Sequence, residues 1–386
     1  MKRLTSLALI AGLCTVIGLL VSSGPEAVMV AAWGAGWGAA LVVLARFVAV
    51  AWAGLGWWVV FPAANRPTLA TCSLIRFVRE GINTLLPVAQ VGGDLIGARL
   101  LTRRGVSGAL AGASMFVDLM VQALTQFLFT VLGLGVLVAL GGEGPIVDAV
   151  EIGLLLAAPA LLAFYLIQRR HGHRLLQGAI SRFAGGREWR AIGAVDALYD
   201  GLRGLYANPR RVGGAILIHL VGWLIGTLEV WIVLRFMGYE AGFLEALVIE
   251  SLAQAVRGAA FAVPGALGAQ EGGLIALCAL FGIPAEAALA LSLVKRLADL
   301  AVGLPSLLLW HRMEDRAEAE PALPAPPSGG IGASLRGLLP ASSLSPAYGY
   351  AAAAAAPYSG AACMSYAAPP PASVPAEAKT GEEYRA

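Results

Sequence analysis

Ionisable and amide side chains gather around two interruptions of otherwise apolar sequence. The first, residues 76–100, reads RFVREGINTLLPVAQVGGDLIGARL and carries Arg76, Arg79, Glu80, Asn83, Gln90, Asp94 and Arg99 about Pro87 and the Gly92-Gly93 pair. The second, residues 244–283, places Glu250, Gln254 and Arg257 on one helical face. It breaks at Pro264, Gly265 and Gly268 and resumes with Gln270, Glu271 and Gly272-Gly273. Lys295, Arg296 and Asp299 follow inside a later apolar run, and Asp118 shares a polar stripe with Gln122, Thr125 and Gln126 in an earlier one. Charges at bilayer depth are costly and turn toward protein or a water-filled cavity, which makes each a site candidate. For Asp118 a cavity-facing role competes with simple interhelical hydrogen bonding.

The chemistry these residues offer is electrostatic. No helical His/Asp/Glu metal set, GxSxG elbow or phosphate-binding glycine loop is present, so neither a catalytic nor a metal residue is assigned. The substrate-binding candidates are Arg79, Asn83, Gln90, Asp94, Arg99, Asp118, Glu250, Arg257, Gln270, Glu271, Lys295 and Arg296, with Pro87, Gly92, Gly93, Pro264, Gly265 and Gly268 as helix breaks. Six intramembrane positives (Arg46, Arg79, Arg99, Arg257, Lys295, Arg296) face six negatives (Asp94, Asp118, Glu229, Glu250, Glu271, Asp299). That balance suits a polar or zwitterionic headgroup better than a bare ion, and it equally suits mutual pairing that holds the segments in place.

The elements that must position them are membrane helices. Charged residues are 13% of the 386, against about 25% in soluble domains, and several apolar runs exceed the ~18 residues that mark a crossing helix. The ten-residue alternation of a membrane barrel is missing. A net charge of +3, without a basic stripe, excludes a nucleic-acid partner. Cys14, Cys72, Cys278 and Cys363 are too scattered for a disulfide framework or a metal site, and His171 and His173 lack further ligands at metal spacing.

Six full spans are expected, at about 4–21, 37–61, 106–140, 147–167, 213–237 and 284–310, in an all-α polytopic protein. Arg46 reads either as a snorkelling side chain or as an inward charge. Residues 168–212 carry nine Arg against three acids and are assigned to the cytoplasm, with amphipathic runs at 175–183 and 192–206 suited to an anionic leaflet. Residues 1–312 form the transmembrane domain, and 313–386, rich in Pro, Ala and Ser, are expected to be a disordered cytoplasmic tail.

The two interruptions also look like repeats. Arg79, Pro87 and Asp94 match Arg257, Pro264 and Glu271, with seven residues from Pro to acid in both. Placing the N-terminus inside sends loops 22–35, 141–146, 238–243 and 282–284 outside, and none carries Lys or Arg. Both termini are then cytoplasmic, and the two segments become re-entrant hairpins entering from opposite faces, the arrangement of inverted-repeat transporters. Arg79, Asp94, Arg257 and Glu271 are expected to converge on one central cavity.

The stretches REGINTLLPVAQVGGDLIGARLL and VPGALGAQEGGLIALCALFGIPAEAALALSLVKRLADL resemble the two signature regions of flippase-like membrane proteins related to the transmembrane domain of lysylphosphatidylglycerol synthase. Within that superfamily they look most like the hopanoid-biosynthesis-associated branch, over residues 1–312. The matching motif positions are Arg79, Glu80, Asn83, Pro87, Gln90, Gly92, Gly93, Asp94, Arg99, Pro264, Gly265, Gly268, Glu271, Gly272, Gly273, Lys295 and Arg296. The resemblance implies a bacterial inner-membrane protein that moves a hopanoid or phospholipid between leaflets, without a cofactor, in the company of hopanoid-biosynthetic enzymes. The soluble aminoacyl-transferring domain of the synthase has no counterpart, which argues against an enzyme. A scaffold for lipid-biosynthetic enzymes and a membrane-embedded lipid-modifying enzyme are the competing readings.

Overall fold

Long apolar runs with capped starts become long helices. The computed structural model describes residue 26 and residues 33–86, 92–174, 188–260, 266 and 268–319. All lie in the first of the two units into which the chain divides, Met1–Pro321. The first expected span, the break residues Pro87, Pro264 and Gly265, the substrate-binding candidate Gln90, the run 175–183 and residues 320–386 lie outside the described residues.

Among the described residues four helices are long and apolar enough to cross a membrane. They are α1 (Trp37–Val60), α4 (Gly108–Ala139), α5 (Pro145–Leu166) and α7 (Pro209–Phe236), each at least ~30 Å long at ~1.5 Å per residue. The Ser107 hydroxyl accepts from Leu110 N at 3.3 Å to start α4. Asn208 accepts from Arg211 N at 3.2 Å to start α7, with Pro209 in the first turn, where its missing N–H costs nothing. Apolar on all sides beyond Asp148 and Glu151, α5 buries none of its residues and leans on the protein through Ile146, Val147 and Val150 near its start.

Two pairs of shorter helices are added, the first between α1 and α4 and the second after α7. Helix α2 (Leu69–Leu85) and helix α8 (Phe243–Ala259) have 17 residues each, short of the ~20 needed to cross. Each is followed, across its break, by an 11-residue helix, α3 (Gly92–Thr102) and α9 (Ala269–Ala279). Each pair packs on itself and has its own apolar cluster. Ile75, Val78, Leu100 and Leu101 join Trp57, Phe61 and Trp310 around the first. Ile249, Leu252, Leu274 and Leu277 join Val42, Val230 and Leu291 around the second.

Two expectations are corrected. Helix α6 (Glu188–Tyr206) contains the run 192–206, but its apolar stripe is spent on protein and not on a leaflet. Val195, Tyr199, Leu202 and Leu205 are buried against Ala113, Val117 and Val121 of α4 and Ala215 of α7. The last helix, α10 (Ala285–Ala319), does not stop near residue 312. Its final turns are held because Glu314, only 3% exposed, accepts from Arg99 at 3.1 Å and Arg103 at 2.6 Å, both at the end of α3.

Candidate functional site

A cavity of about 390 Å³ opens where the two broken pairs face each other across α1, α4 and α7. Its wall follows from helical period. On α2, Arg76, Glu80 and Asn83 stand at i, i+4 and i+7. On α8, Glu250, Gln254 and Arg257 repeat that spacing, and all six line the cavity. Counted from the helix starts, each residue of one trio occupies the position of its counterpart in the other. The rest of the wall includes Arg46 and Trp52 from α1, Asp94 from α3, Gln122 and Gln126 from α4, and His219, Trp223 and Glu229 from α7.

Two ion networks support this wall. In the first, Arg79 is 1% exposed and lies behind the cavity, its guanidinium over the Trp57 ring at 4.9 Å. It donates through Nε to Asp94 at 2.8 Å and approaches Asp118 at 2.8 Å through Nη2. Asp118, fully buried, also accepts from Gln122 at 2.9 Å, meets His219 Nε2 at 3.2 Å and stands 3.6 Å from Arg76. Asn83 ties the arms of the pair together. Its oxygen accepts from Gly93 N at 2.8 Å, and its amide donates to Asp94 at 3.3 Å. Gly93 must be a glycine here, because a Cβ would collide with the Arg79 carbonyl and the Asn83 oxygen.

In the second network Arg46 grips Glu229 with two nitrogens, at 2.8 and 2.5 Å, and Asp299 with a third at 2.5 Å. Arg46 therefore faces inward and does not snorkel. Arg257 meets Asp299 at 3.3 Å. Lys295, 3% exposed, bridges Glu250 at 2.8 Å and Glu229 at 3.4 Å. Burying such charges is tolerable because each is paired, and removal of one partner strands the others.

Of the residues expected to converge, Asp94 and Arg257 do so, with Asn83 and Glu250. Arg79, Asp118 and Lys295 stand one layer back. The remaining candidates are elsewhere. Glu271 accepts from Gly268 N at 2.7 Å, where φ is +80° at the head of α9, and from Arg296 Nε at 2.7 Å. Gln270 donates to Ser292 at 3.0 Å, and Arg99 turns to Glu314. None of Glu271, Arg296, Gln270 or Arg99 is on the cavity wall. Both pairs are thus tied to α10, the second through Glu271 and Gln270 and the first through Arg99 and Arg103 on Glu314, while Arg79, Asn83 and Asp94 also tie the first to itself. Arg76 and Glu80, counted among the charges of the first interruption, and His219 and the two tryptophans were not assigned as substrate-binding residues, although the 76/80/83 spacing was the available signal. Among the described residues no group of three His, Cys, Asp or Glu is placed to hold a metal.

Helices alone make up the regular structure of the described residues; four are long and apolar enough to cross a membrane, and α1, α4 and α7 among them line a charged cavity, the build of a polytopic membrane protein. Residues 4–306 match the lysylphosphatidylglycerol synthase TM region family, and the chain belongs to it. A "UPF0104 membrane protein" of Methanothermobacter thermautotrophicus is 24% identical over 315 residues, 77% of this chain and 89% of the relative. No solved structure matches.

Proposed function

We propose that the protein is a lipid flippase or transporter whose cavity shelters a headgroup while the acyl or polycyclic part stays in the bilayer. The observation that carries this reading is the pair of polar i, i+4, i+7 faces, one from each broken pair, on a single cavity. Its volume lies within the ~300–1,000 Å³ of small-ligand sites, enough for a headgroup and too little for a whole lipid. Arg46, Arg76 and Arg257 face Glu80, Asp94, Glu229 and Glu250 around it, a mixed field suited to a zwitterion. Among the described residues Arg257 makes one contact, to Asp299 at 3.3 Å, so this cation on the wall has donors for a phosphate.

The two breaks enter from opposite faces in this reading, as re-entrant hairpins among six full spans with both termini cytoplasmic in a bacterial inner membrane. The equal 17- and 11-residue arms support an inverted repeat. The cargo is a hopanoid or a phospholipid, a choice that the family's lipid-synthase name and the motif resemblance support. No bond in the lipid is made or broken.

The test is leaflet transfer in proteoliposomes with labelled phospholipids and a labelled hopanoid. Wild type should accelerate transfer of at least one, and Arg257→Gln and Glu80→Gln should reduce it at least tenfold while remaining inserted. Wild-type protein that moves none of them sinks the proposal. Recovery of a chemically altered lipid by mass spectrometry would replace it with an enzymatic reading.

A further inference from the structure

The transport reading leaves the driving force open, and one side chain on the wall has the chemistry to supply it. We propose that His219 is a proton-binding site that couples lipid movement to a proton gradient, an inference that rests on the transport reading. Of the four histidines in the chain, His171, His173, His219 and His311, only His219 lies within an apolar crossing helix and on the cavity. It is 7% exposed, and its imidazole packs against Gly56 of α1, where a larger residue would meet the ring. A histidine beside a carboxylate on a polar intramembrane cavity is the usual make-up of a proton relay.

The charge around it is unbalanced by one. Arg76 and Arg79 of α2 face Glu80 of α2, Asp94 of α3 and Asp118 of α4, two cations against three carboxylates. With a neutral imidazole that network carries minus one, and with an imidazolium it is neutral. The second network has no such gap. Arg46 of α1, Arg257 of α8 and Lys295 of α10 balance Glu229 of α7, Glu250 of α8 and Asp299 of α10. Helix α6 also packs on α7, but its acids and phenols are engaged elsewhere: Asp196 with His173, Asp200 with Arg203, Tyr199 with the Ile167 carbonyl and Tyr206 with Gln168.

The proton has a defined place. Asp118, ionised between two guanidinium groups, is an acceptor only, so the Nε2 facing it at 3.2 Å carries a hydrogen. Nδ1 then takes a proton from cavity water to form the imidazolium and returns it to water on release. The consequence reaches the first broken pair. A cation at Asp118 Oδ1 competes with Arg79 at Oδ2, and Arg79 is what holds Asp94 at the head of α3.

The experiment uses full-length protein in phosphatidylethanolamine/phosphatidylglycerol liposomes with a trace of fluorescent phosphatidylethanolamine, with and without an imposed pH gradient. Wild type should transfer the probe several-fold faster in one gradient direction, and a protonophore should abolish the difference. In His219→Gln the ratio of rates with and without gradient should fall to one, whatever the basal rate. A wild-type ratio of one, or a retained ratio in His219→Gln, overturns the proposal. Failure of any probe to move is a failure of the transport reading, and the proton site is then read on its own. In protein carrying His171→Gln, His173→Gln and His311→Gln, the remaining ¹⁵N-histidine signals should show the ring protonated on both nitrogens in acid and on one in base. A single form throughout overturns the proton site whether or not lipid moves.

Discussion

Arg46 shows what a single buried charge does here. Its side chain is 11% exposed and engages two carboxylates with three nitrogens, a geometry that only a planar fork can make. Without it, Glu229 and Asp299 repel each other in a low-dielectric interior, with Lys295 and Arg257 left to compensate. Arg46→Ala should therefore cost about 3–5 kcal/mol of stability, the scale for breaking a buried ion pair. Arg46→Lys, which keeps the charge and loses the fork, should cost less than half of that. Thermal unfolding in nanodiscs checks the order, and an Arg46→Ala protein as stable as wild type would show that water and not protein solvates the carboxylates. Arg79 follows the same logic with a different position: it touches no cavity space, so its removal should act by releasing Asp94 and Asp118.

At the scale of elements, the two Gly-Gly pairs look alike in sequence and behave differently in structure. Gly93 lies against Arg79 and Asn83 of α2, and Gly97 against the Arg79 side chain, so α3 rides directly on α2. In the second pair a Cβ at Gly273 would meet the Val256 side chain of α8, at 3.2 Å or more, and Gly272 has open space where a Cβ would go. Gly93→Ala should destabilise by about 1–3 kcal/mol through overpacking, whereas Gly272→Ala should be neutral or stabilise by roughly 0.5–1 kcal/mol through helix propensity. Equal effects in a denaturation series would contradict the close α2–α3 approach. The same contrast shows what was readable beforehand. The long helices and the Glu250/Gln254/Arg257 face follow from hydropathy and the 3.6 period, and α1, α4 and α5 end within two residues of expectation. The facing of α2 does not follow, because matching Arg79 to Arg257 counts back from the prolines, eight residues in one segment and seven in the other, and not from the helix starts. Counted from the helix starts, Asn83 is the partner of Arg257, and Arg79 falls on the side turned to Trp57. The partners of Glu271 and Glu314 were hidden for another reason: each lies on α9 or α10 but depends on how α3, α9 and α10 pack, which no local pattern encodes.

On the scale of the molecule, the two ion networks share a cavity but, among the described residues, no ion pair. Asp94 belongs to the first through Arg79 and Asn83, and Glu229 to the second through Arg46 and Lys295. Within a network, neighbouring substitutions should be non-additive. Glu229→Gln combined with Asp299→Asn, which share Arg46, should show an interaction energy of about 0.5–3 kcal/mol. Across networks, Asp94→Asn and Glu229→Gln should add to within about 0.5 kcal/mol in the lipid-free protein, since they have no common partner. The proposed transport imposes a different requirement. If a headgroup contacts both walls at once, each network sets the affinity that the other requires, and the two substitutions should no longer combine independently in the leaflet-transfer rate. Additive stability together with non-additive transport would place the coupling in the bound lipid. Non-additive stability in the empty protein would instead make the cavity wall one pre-assembled unit, with α4 and α7, which touch both networks, as the elements that join them.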